Sequence, residues 1–305
     1  MWMMLRRRAV ESLLSLLFLV CAVFAGARLT GSPGALYLPL EANDDAIAAF
    51  NAAHGFDRPI WQQFLTFLGD MMRLDFGESL RRSAPALDVV LEAYPATLKI
   101  VAISMFCALL AGVVIGSLAA LRPTGIFDRI STTLSVSAAC IPDFWIALMG
   151  ILVFAVLLQW LPTSGAGTPL HWVLPVLVLM MRPTGSLVQV VRGGMVETLS
   201  APYIAAARGR GTPVRRLLFL HALRNAAIPA LTVLGVQTAN ILNGAVVVET
   251  IFGWPGIGRL TISAILQRDF AVLQAAVVVT GLAIFLLNVV IDILYGIVDP
   301  RVRTR

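Results

Sequence analysis

The sequence predicts an all-α, polytopic membrane protein with six transmembrane helices, and three observations carry that prediction. Apolar types make up 58% of the 305 residues and charged types only 13%, where a soluble domain carries roughly 25% charged residues. Six apolar runs are long enough to cross a bilayer, which takes about 20 residues at a rise of about 1.5 Å each. The arginines alternate with those runs in a way that places both termini on the cytoplasmic side. Mean hydropathy is +0.86; a soluble chain of this length could not hide so much apolar surface, so its main solvent is lipid.

The six runs lie near Ala9–Leu29, Ala96–Leu121, Thr133–Trp160, His171–Val191, Ile228–Val248 and Ala271–Gly296. They are continuous rather than alternating, which fits helices and not the strands of a membrane barrel. Arg6–Arg8, the apolar run after them and Ala25-Gly26-Ala27 also resemble a cleavable signal peptide. The run is longer than a signal core, which favours an uncleaved first span. With six alternating spans, the cytoplasmic side holds Arg6, Arg7, Arg8, Arg122, Arg129, Arg192, Arg208, Arg210, Arg215, Arg216, Arg224, Arg301, Arg303 and Arg305. That is 14 of the 23 basic residues. The long outer segment 30–95 holds four arginines against nine carboxylates. The net charge of +6 is therefore positive-inside bias, not a nucleic-acid footprint.

Several function classes fall away on chemistry. Lys99 is the only lysine and sits in Thr-Leu-Lys-Ile, so no Walker A loop exists and the chain is not its own ATPase. Cys21, Cys107 and Cys140 match no metal site or disulfide framework and read as buried structural thiols. His54, His171 and His221 are far apart, with no serine or carboxylate beside them at depth to serve a membrane hydrolase. No catalytic residue, no metal ligand and no cofactor is expected in this chain. A secondary carrier would show inverted repeats and broken helices around an ion site, and no internal repeat is visible. A scaffold would need neither the cytoplasmic knob nor the polar fifth span described next.

Between spans one and two, Ile60, Trp61, Phe64, Leu65, Phe67, Leu68, Met71 and Met72 recur at helical spacing. They predict an amphipathic helix, either flat on the outer leaflet or forming a platform for a docked partner; the two readings are compatible. Between spans four and five, Ser200 followed by Ala-Pro starts a short alanine-rich helix, Tyr203–Arg208. Gly209, Gly211 and Pro213 break it, and a basic helix resumes over Val214–Ala227. The result is a compact knob ringed by arginines, which another protein's groove could approach closely; on these residues alone a basic loop facing lipid is the alternative.

Polar residues inside the spans need a reason, because unpaired burial is expensive. Arg182, followed by Pro183, reads either as a cation facing the path or as half of an internal ion pair with Asp143. Asp143, in Ile-Pro-Asp-Phe-Trp, caps a helix start or lines the path. Gln237, Asn240 and Gly244 share one face of the fifth span, with Thr238 and Asn243 adjacent. That face lines the pathway or, the favoured reading, makes interhelical hydrogen bonds to a partner. Asn288 and Asp292, one turn apart in the sixth span, read as structural.

At the knob the sequence resembles a known family, the inner-membrane permeases of ABC importers in the dipeptide, oligopeptide and nickel group. Tyr203-Ile-Ala-Ala-Ala-Arg208-Gly-Arg-Gly211 is similar to the group's Tyr-Val-Arg-Thr-Ala-Arg-Ala-Lys-Gly, part of its EAA motif. His221-Ala-Leu-Arg224-Asn225-Ala-Ala-Ile-Pro229 is similar to its His-Ala-Leu-Arg-Asn-Ala-Leu-Ile-Pro. Val247-Val-Glu249-Thr-Ile-Phe-Gly-Trp254-Pro255-Gly256-Ile-Gly258-Arg259-Leu resembles its outer loop before the last span. Asp57-Arg58-Pro59, Pro95-Ala-Thr97-Leu98 and Asp299-Pro300-Arg301 fit as well.

The departures are local. Ala205 stands at the general motif's glutamate and at the group's usual arginine, Ala206 at its threonine, Arg210 at its lysine and Gly209 at an alanine. Gly209 should loosen the helix end by up to about 1 kcal/mol relative to alanine.

The resemblance implies an assembly in the bacterial inner membrane. A second homologous permease subunit would form a heterodimer with this one, each supplying half of the path. Two cytoplasmic ATPase subunits would bind ATP and magnesium, and a periplasmic binding protein would deliver di- or oligopeptides, nickel chelates, glutathione or a similar small solute. It further implies that Tyr203, Ala206, Ala207, Arg208, Gly211, Arg215 and Arg216 couple to an ATPase groove. Asp143, Arg182, Gln237, Asn240 and Asn243 are the candidates for the substrate path.

Overall fold

A computed structural model describes residues 14–15, 17–26, 43–53, 55–79 and 81–298. Its elements in chain order are α1 (Leu17–Gly26), α2 (Asp44–Ala53), α3 (Ile60–Met72), β1 (Glu78–Ser79), β2 (Ala84–Pro85), α4 (Ala86–Leu121), α5 (Ile126–Cys140) and α6 (Asp143–Gly150). A π-helical stretch, Ile151–Leu157, extends α6. After it come α7 (Leu170–Leu199), α8 (Pro202–Gly209) and α9 (Val214–Arg216), then a π-helical stretch Leu217–Ala222, α10 (Leu223–Ile251), α11 (Ile257–Leu266) and α12 (Phe270–Val298).

Four of the predicted spans are borne out as single long apolar stretches: Ala86–Leu121, Leu170–Leu199, Val214–Leu242 and Phe270–Ile291. The predicted third span, Thr133–Trp160, is corrected. It is two helices, Ile126–Cys140 and Asp143–Leu157, bent by 103° at the break. Pro142 explains the break. It has no N–H to donate, and it drives the preceding residue out of the helical region; Ile141 is accordingly extended at φ −78°, ψ 131°. The first span is described as helix at 14–15 and over Leu17–Gly26; the rest of Ala9–Leu29, with Arg6–Arg8, lies outside the described residues, as does Asp299-Pro300-Arg301. The described residues thus hold four spans, or five if the bent pair counts as one.

The chain divides into two compact units. The larger contains Ala96–Pro255 and is organised on α7. Four glycines let other elements come close to it or extend its packing. A Cβ at Gly112 would stand 2.5 Å from Leu187 Cβ, and one at Gly116 would stand 2.9 Å from the Val188 carbonyl oxygen. Gly112 and Gly116 are one turn apart on α4, a small-residue seam of the kind that brings membrane helices into contact. On α7 itself, Gly185 passes Ser135, whose carbonyl oxygen a Cβ would meet at 2.5 Å, and Gly194 passes Ala226 of α10. Ala108, Ala120, Leu187, Val191, Met195, Ala222, Ala226 and Ala230 form the buried cluster around these contacts. Helices joined by Ala and Gly gain dispersion contacts along their backbones, which matters where lipid offers no hydrophobic penalty.

The smaller unit packs Phe76, Ala86, Val89, Val90, Ile257, Leu260, Ala264, Val272, Ala275 and Ala276 into one core. Its antiparallel strand pair aligns Glu78 with Pro85 and Ser79 with Ala84. Buried Ser79 donates its hydroxyl hydrogen to Asp269 Oδ2 at 2.5 Å, while the Val272 N–H donates to Asp269 Oδ1 at 3.3 Å. Asp269 therefore caps the start of α12 and anchors the strand pair at once. The predicted amphipathic helix is α3. Its Phe64 and Phe67 rings lie 5.2 and 5.7 Å from that of Phe24, while Ile60, Trp61, Leu65 and Met72 stay exposed.

Gly185→Ala drives a methyl into backbone and should cost about 1–3 kcal/mol. Gly193→Ala, with open space around its Cβ position, should gain up to about 1 kcal/mol of helix propensity. Thermal unfolding of the purified protein in detergent should order the three proteins Gly193→Ala, wild type, Gly185→Ala.

Candidate coupling loop and polar pathway

The knob predicted between spans four and five is α8 with its closing turn. Ser200 is not its cap: it ends α7 and donates its hydroxyl hydrogen to the Glu197 carbonyl oxygen at 2.8 Å. Ala201 takes the N-cap position in extended conformation, with Pro202 in the first turn. Proline suits that place because its missing N–H would have had no partner there. Three N–H donors close the other end: Arg210 to Ala206 O at 3.2 Å, Gly211 to Arg208 O at 3.0 Å and Thr212 to Ala207 O at 3.2 Å. Gly211 sits at φ +80°, a left-handed conformation that costs other residues roughly 1–2 kcal/mol. Glycine is required there for the chain to double back.

α8 is seated on one side and open on the other. Ile204 is fully buried, as is Leu217 in the π-helical stretch. Asn225 Nδ2 donates to the Tyr203 hydroxyl at 3.1 Å, tying the knob to α10. Tyr203, Ala206, Arg208, Gly211, Arg215 and Arg216 are exposed and Ala207 is half-buried. The seven residues predicted from the motif thus share one surface feature, held from beneath by Ile204. The two motifs that form it, at 203–211 and 221–229, are joined by the Tyr203–Asn225 hydrogen bond.

The path candidates are brought together in part. Asp143 opens α6 at the bend, in its first turn after Pro142, and Arg182 Nε lies 3.7 Å from Asp143 Oδ1. The internal pair anticipated from sequence is present, and it is loose. The side chains are 48% and 30% exposed, and Asp143 Oδ1 accepts no hydrogen bond. α7 runs on through Pro183 as helix, whereas Pro142 breaks its segment. One turn along, Ser186 donates to the Arg182 carbonyl oxygen at 3.3 Å. Gln237 Nε2 donates to Ser186 Oγ at 2.8 Å, and Asn240 Nδ2 to Gln237 Oε1 at 3.3 Å. A polar track thus runs from Asp143 through Arg182 and Ser186 to Gln237 and Asn240. Gln237 bonds to Ser186 of α7 and to Asn240 of its own helix. The side chains of Asn243, Gly244 and Asp292 lie outside the described residues, and Asn288 is half-buried.

Three buried polar contacts were not singled out in the sequence. Thr97 donates its hydroxyl hydrogen to Glu249 Oε1 at 2.6 Å, and both are buried. Trp254 Nε1 donates to the Ala96 carbonyl oxygen at 3.1 Å, its ring edge-on to Trp172 at 4.5 Å. The motifs at 95–98 and 247–260, separate in sequence, therefore meet. The third is an ion pair. Arg192 donates through Nε and Nη2 to both oxygens of Asp128, the Nη2–Oδ2 distance being 2.7 Å. Asp128 is only 4% exposed. Arg192 was counted in sequence only as one more cytoplasmic arginine; a carboxylate 64 positions away gives no periodic signal. Cys21 and Cys107 are half-buried and Cys140 is exposed, all three free, which corrects their reading as buried thiols. Among the described residues no group of His, Cys, Asp and Glu could hold a metal ion.

The two ion pairs should behave differently in unfolding experiments on the purified protein. A double-mutant cycle on Arg182 and Asp143 should give a coupling of at most about 1 kcal/mol, because the two groups lie 3.7 Å apart, share no hydrogen bond and are both partly exposed. Removing Arg192 should cost about 3–5 kcal/mol, because the Asp128 charge is left buried; removing Asp128 should cost less, because Arg192 is 29% exposed and can reach water.

Residues 112–304 match the family described as binding-protein-dependent transport system inner membrane component. The di/tripeptide transport system permease protein DppB of Pseudomonas aeruginosa (strain UCBPP-PA14) is 36% identical over 277 residues, 82% of each chain. The glutathione transport system permease protein GsiC of Escherichia coli (strain K12) is 34% identical over 275 residues, 90% of each chain. The oligopeptide transport system permease protein AppB of Bacillus subtilis (strain 168) is 34% identical over 284 residues, again 90% of each. Among solved structures, the MetNI methionine ABC transporter in inward facing conformations superposes with TM-score 0.59 at 15% identity, over 69% of this chain and 96% of that one. An amino acid ABC transporter with histidines superposes with TM-score 0.53 at 16% identity, over 68% and 94%. The shared fold and the length of these matches place the chain with transport components rather than enzymes: it belongs to the family of binding-protein-dependent transport system inner membrane components, the permease subunits of ABC importers.

Proposed function

We propose that this permease carries di- or oligopeptides, or similar small solutes bearing a carboxylate, across the bacterial inner membrane, and that α8 couples that passage to ATP hydrolysis on separate subunits. One observation supports the coupling reading above all. α8 is a rigid helix with one buried anchor, Ile204, and an exposed face of Tyr203, Ala206, Arg208 and Gly211. A seated helix passes a displacement on as a rigid body, whereas a slack loop would absorb it. Small side chains admit a close-fitting groove, and Arg215 and Arg216 beside it can pair with acidic groove residues.

In this reading the permease pairs with a second, homologous subunit, each forming half of the path, and two ATPases beneath them bind ATP and magnesium. A periplasmic binding protein delivers the solute. Six spans with both termini cytoplasmic put α8 on the ATPase side, and the arginine distribution supports that orientation. The cargo reading draws on the relatives named for peptides and glutathione, and on Arg182. Its guanidinium, half-exposed and held only loosely by Asp143, is available to a carboxylate in a way that a tightly forked arginine is not.

Reconstitution of the whole complex in liposomes tests both halves. Gly211→Pro cannot adopt φ +80° and removes the donor to Arg208 O. It should leave ATP hydrolysis running while uptake falls on the order of tenfold. Uptake that proceeds without any ATPase subunit would overturn the importer reading and leave a secondary carrier. Arg182→Ala should lower uptake of carboxylate-bearing solutes roughly tenfold more than that of their amidated analogues; equal uptake would return Arg182 to a structural role.

A further inference from the structure

Two ion pairs join α7 to the broken third span, and they differ in kind. Arg182 meets Asp143 at the far end of the α5 segment, half-exposed and without a hydrogen bond. Arg192, ten residues further and so about 15 Å along α7, meets Asp128 in the first turn of α5 as a two-point fork. Asp128 holds a second partner as well: the Thr124 N–H donates to Oδ2 at 2.8 Å. Thr124 lies in the turn between α4 and α5 at φ +68°, which a β-branched residue adopts only when its surroundings enforce it. The same turn is closed by the Gly125 N–H donating to the Arg122 carbonyl oxygen at 3.0 Å.

Asp128 therefore ties three things into one rigid junction: the end of α4, the start of α5 and the lower part of α7. Arg192 stands seven residues before the end of α7, and only Ser200 and Ala201 separate that end from α8. We propose that the Arg192–Asp128 fork is the joint through which displacement of α8 reaches the Arg122–Gly125 turn and, through it, α4 and α5. Asp128 and Arg192 are positioning residues in this role. The fork fixes orientation as well as distance, because a planar guanidinium on a carboxylate cannot swivel without losing a bond. At the other end of α5 the chain bends at Pro142 into Asp143. Movement carried by the joint thus arrives at the loose pair, a 3.7 Å contact with no hydrogen bond to break.

The inference rests on the coupling reading of α8, and the test keeps the two apart. The full complex is reconstituted in liposomes, and uptake and ATP hydrolysis are measured together, normalised to the amount of complex assembled. Arg192→Lys keeps a positive charge against the buried carboxylate, so the fold survives while the fork is lost. Asp128→Asn removes the charge it holds. In Arg192→Lys, solute carried per ATP hydrolysed should fall roughly fivefold while hydrolysis continues, and further in Asp128→Asn where that complex assembles. A purely stabilising pair would lower the yield or thermal stability of both variants and leave the transport ratio at the wild-type value. That outcome in Arg192→Lys overturns the joint, whatever becomes of Asp128→Asn. Wild-type uptake that needs no ATPase subunit would instead remove the coupling reading beneath it.

Discussion

Close approach to α7 is the constraint on which the larger unit depends. In lipid, helices gain nothing by hiding apolar side chains from one another, so association must come from dispersion contacts and hydrogen bonds. Both need backbones brought near, and only positions without a Cβ permit that at Gly112, Gly116 and Gly185. Leu187, Val188 and Val191 of α7 then fill the surface of α4, while Ser135 of α5 approaches from another side. Every candidate functional group of this unit is placed relative to that packing. Arg182, Ser186 and Arg192 belong to α7 itself, and α8 follows from its end.

Charge is distributed over this frame according to water. Where Arg182 is half-exposed, its partner stands 3.7 Å away and makes no hydrogen bond. Where Asp128 is buried, its partner saturates both oxygens and a backbone N–H adds a third contact. A buried carboxylate left short of partners would cost several kcal/mol, so the tight geometry is what makes its burial tolerable. In the loose pair Asp143 Oδ1 is itself buried without a hydrogen bond, and Arg182, 48% exposed, is the member open to solvent or solute. The same rule accounts for Ser79 with Asp269 and Thr97 with Glu249: each buried carboxylate is met by a hydroxyl at short distance.

Much of the fold was legible along the chain. Apolar run length, read as His171–Val191 and Ala271–Gly296, found the spans Leu170–Leu199 and Phe270–Ile291, because a helix in lipid satisfies its own backbone and needs no distant partner to be recognised. The amphipathic stripe of Ile60–Met72 was legible for the same reason: its period is a local property. Alanine, proline and glycine punctuation located α8, although Ser200 turned out to end the preceding helix rather than cap the next. Hydropathy failed at the third span. A window over Thr133–Trp160 averages across Ile141–Pro142, yet the missing N–H of one proline turns the chain by 103°. The signal was present in the letters and was outvoted by the apolar residues around it.

The sequence by itself determined the solvent, the helical class, the position of the knob and the lack of a Walker A lysine. Each follows from composition, period or the absence of a required residue type, all readable without folding. Tertiary structure alone decided which polar groups meet. That Arg192 takes Asp128 and Arg182 takes Asp143, rather than the reverse, depends on where α5 and α6 stand beside α7. That placement is set by glycine contacts and by a bend at Pro142. Pairing between residues tens of positions apart is a property of packed surfaces, and the order of residues along a chain does not encode it in any local pattern.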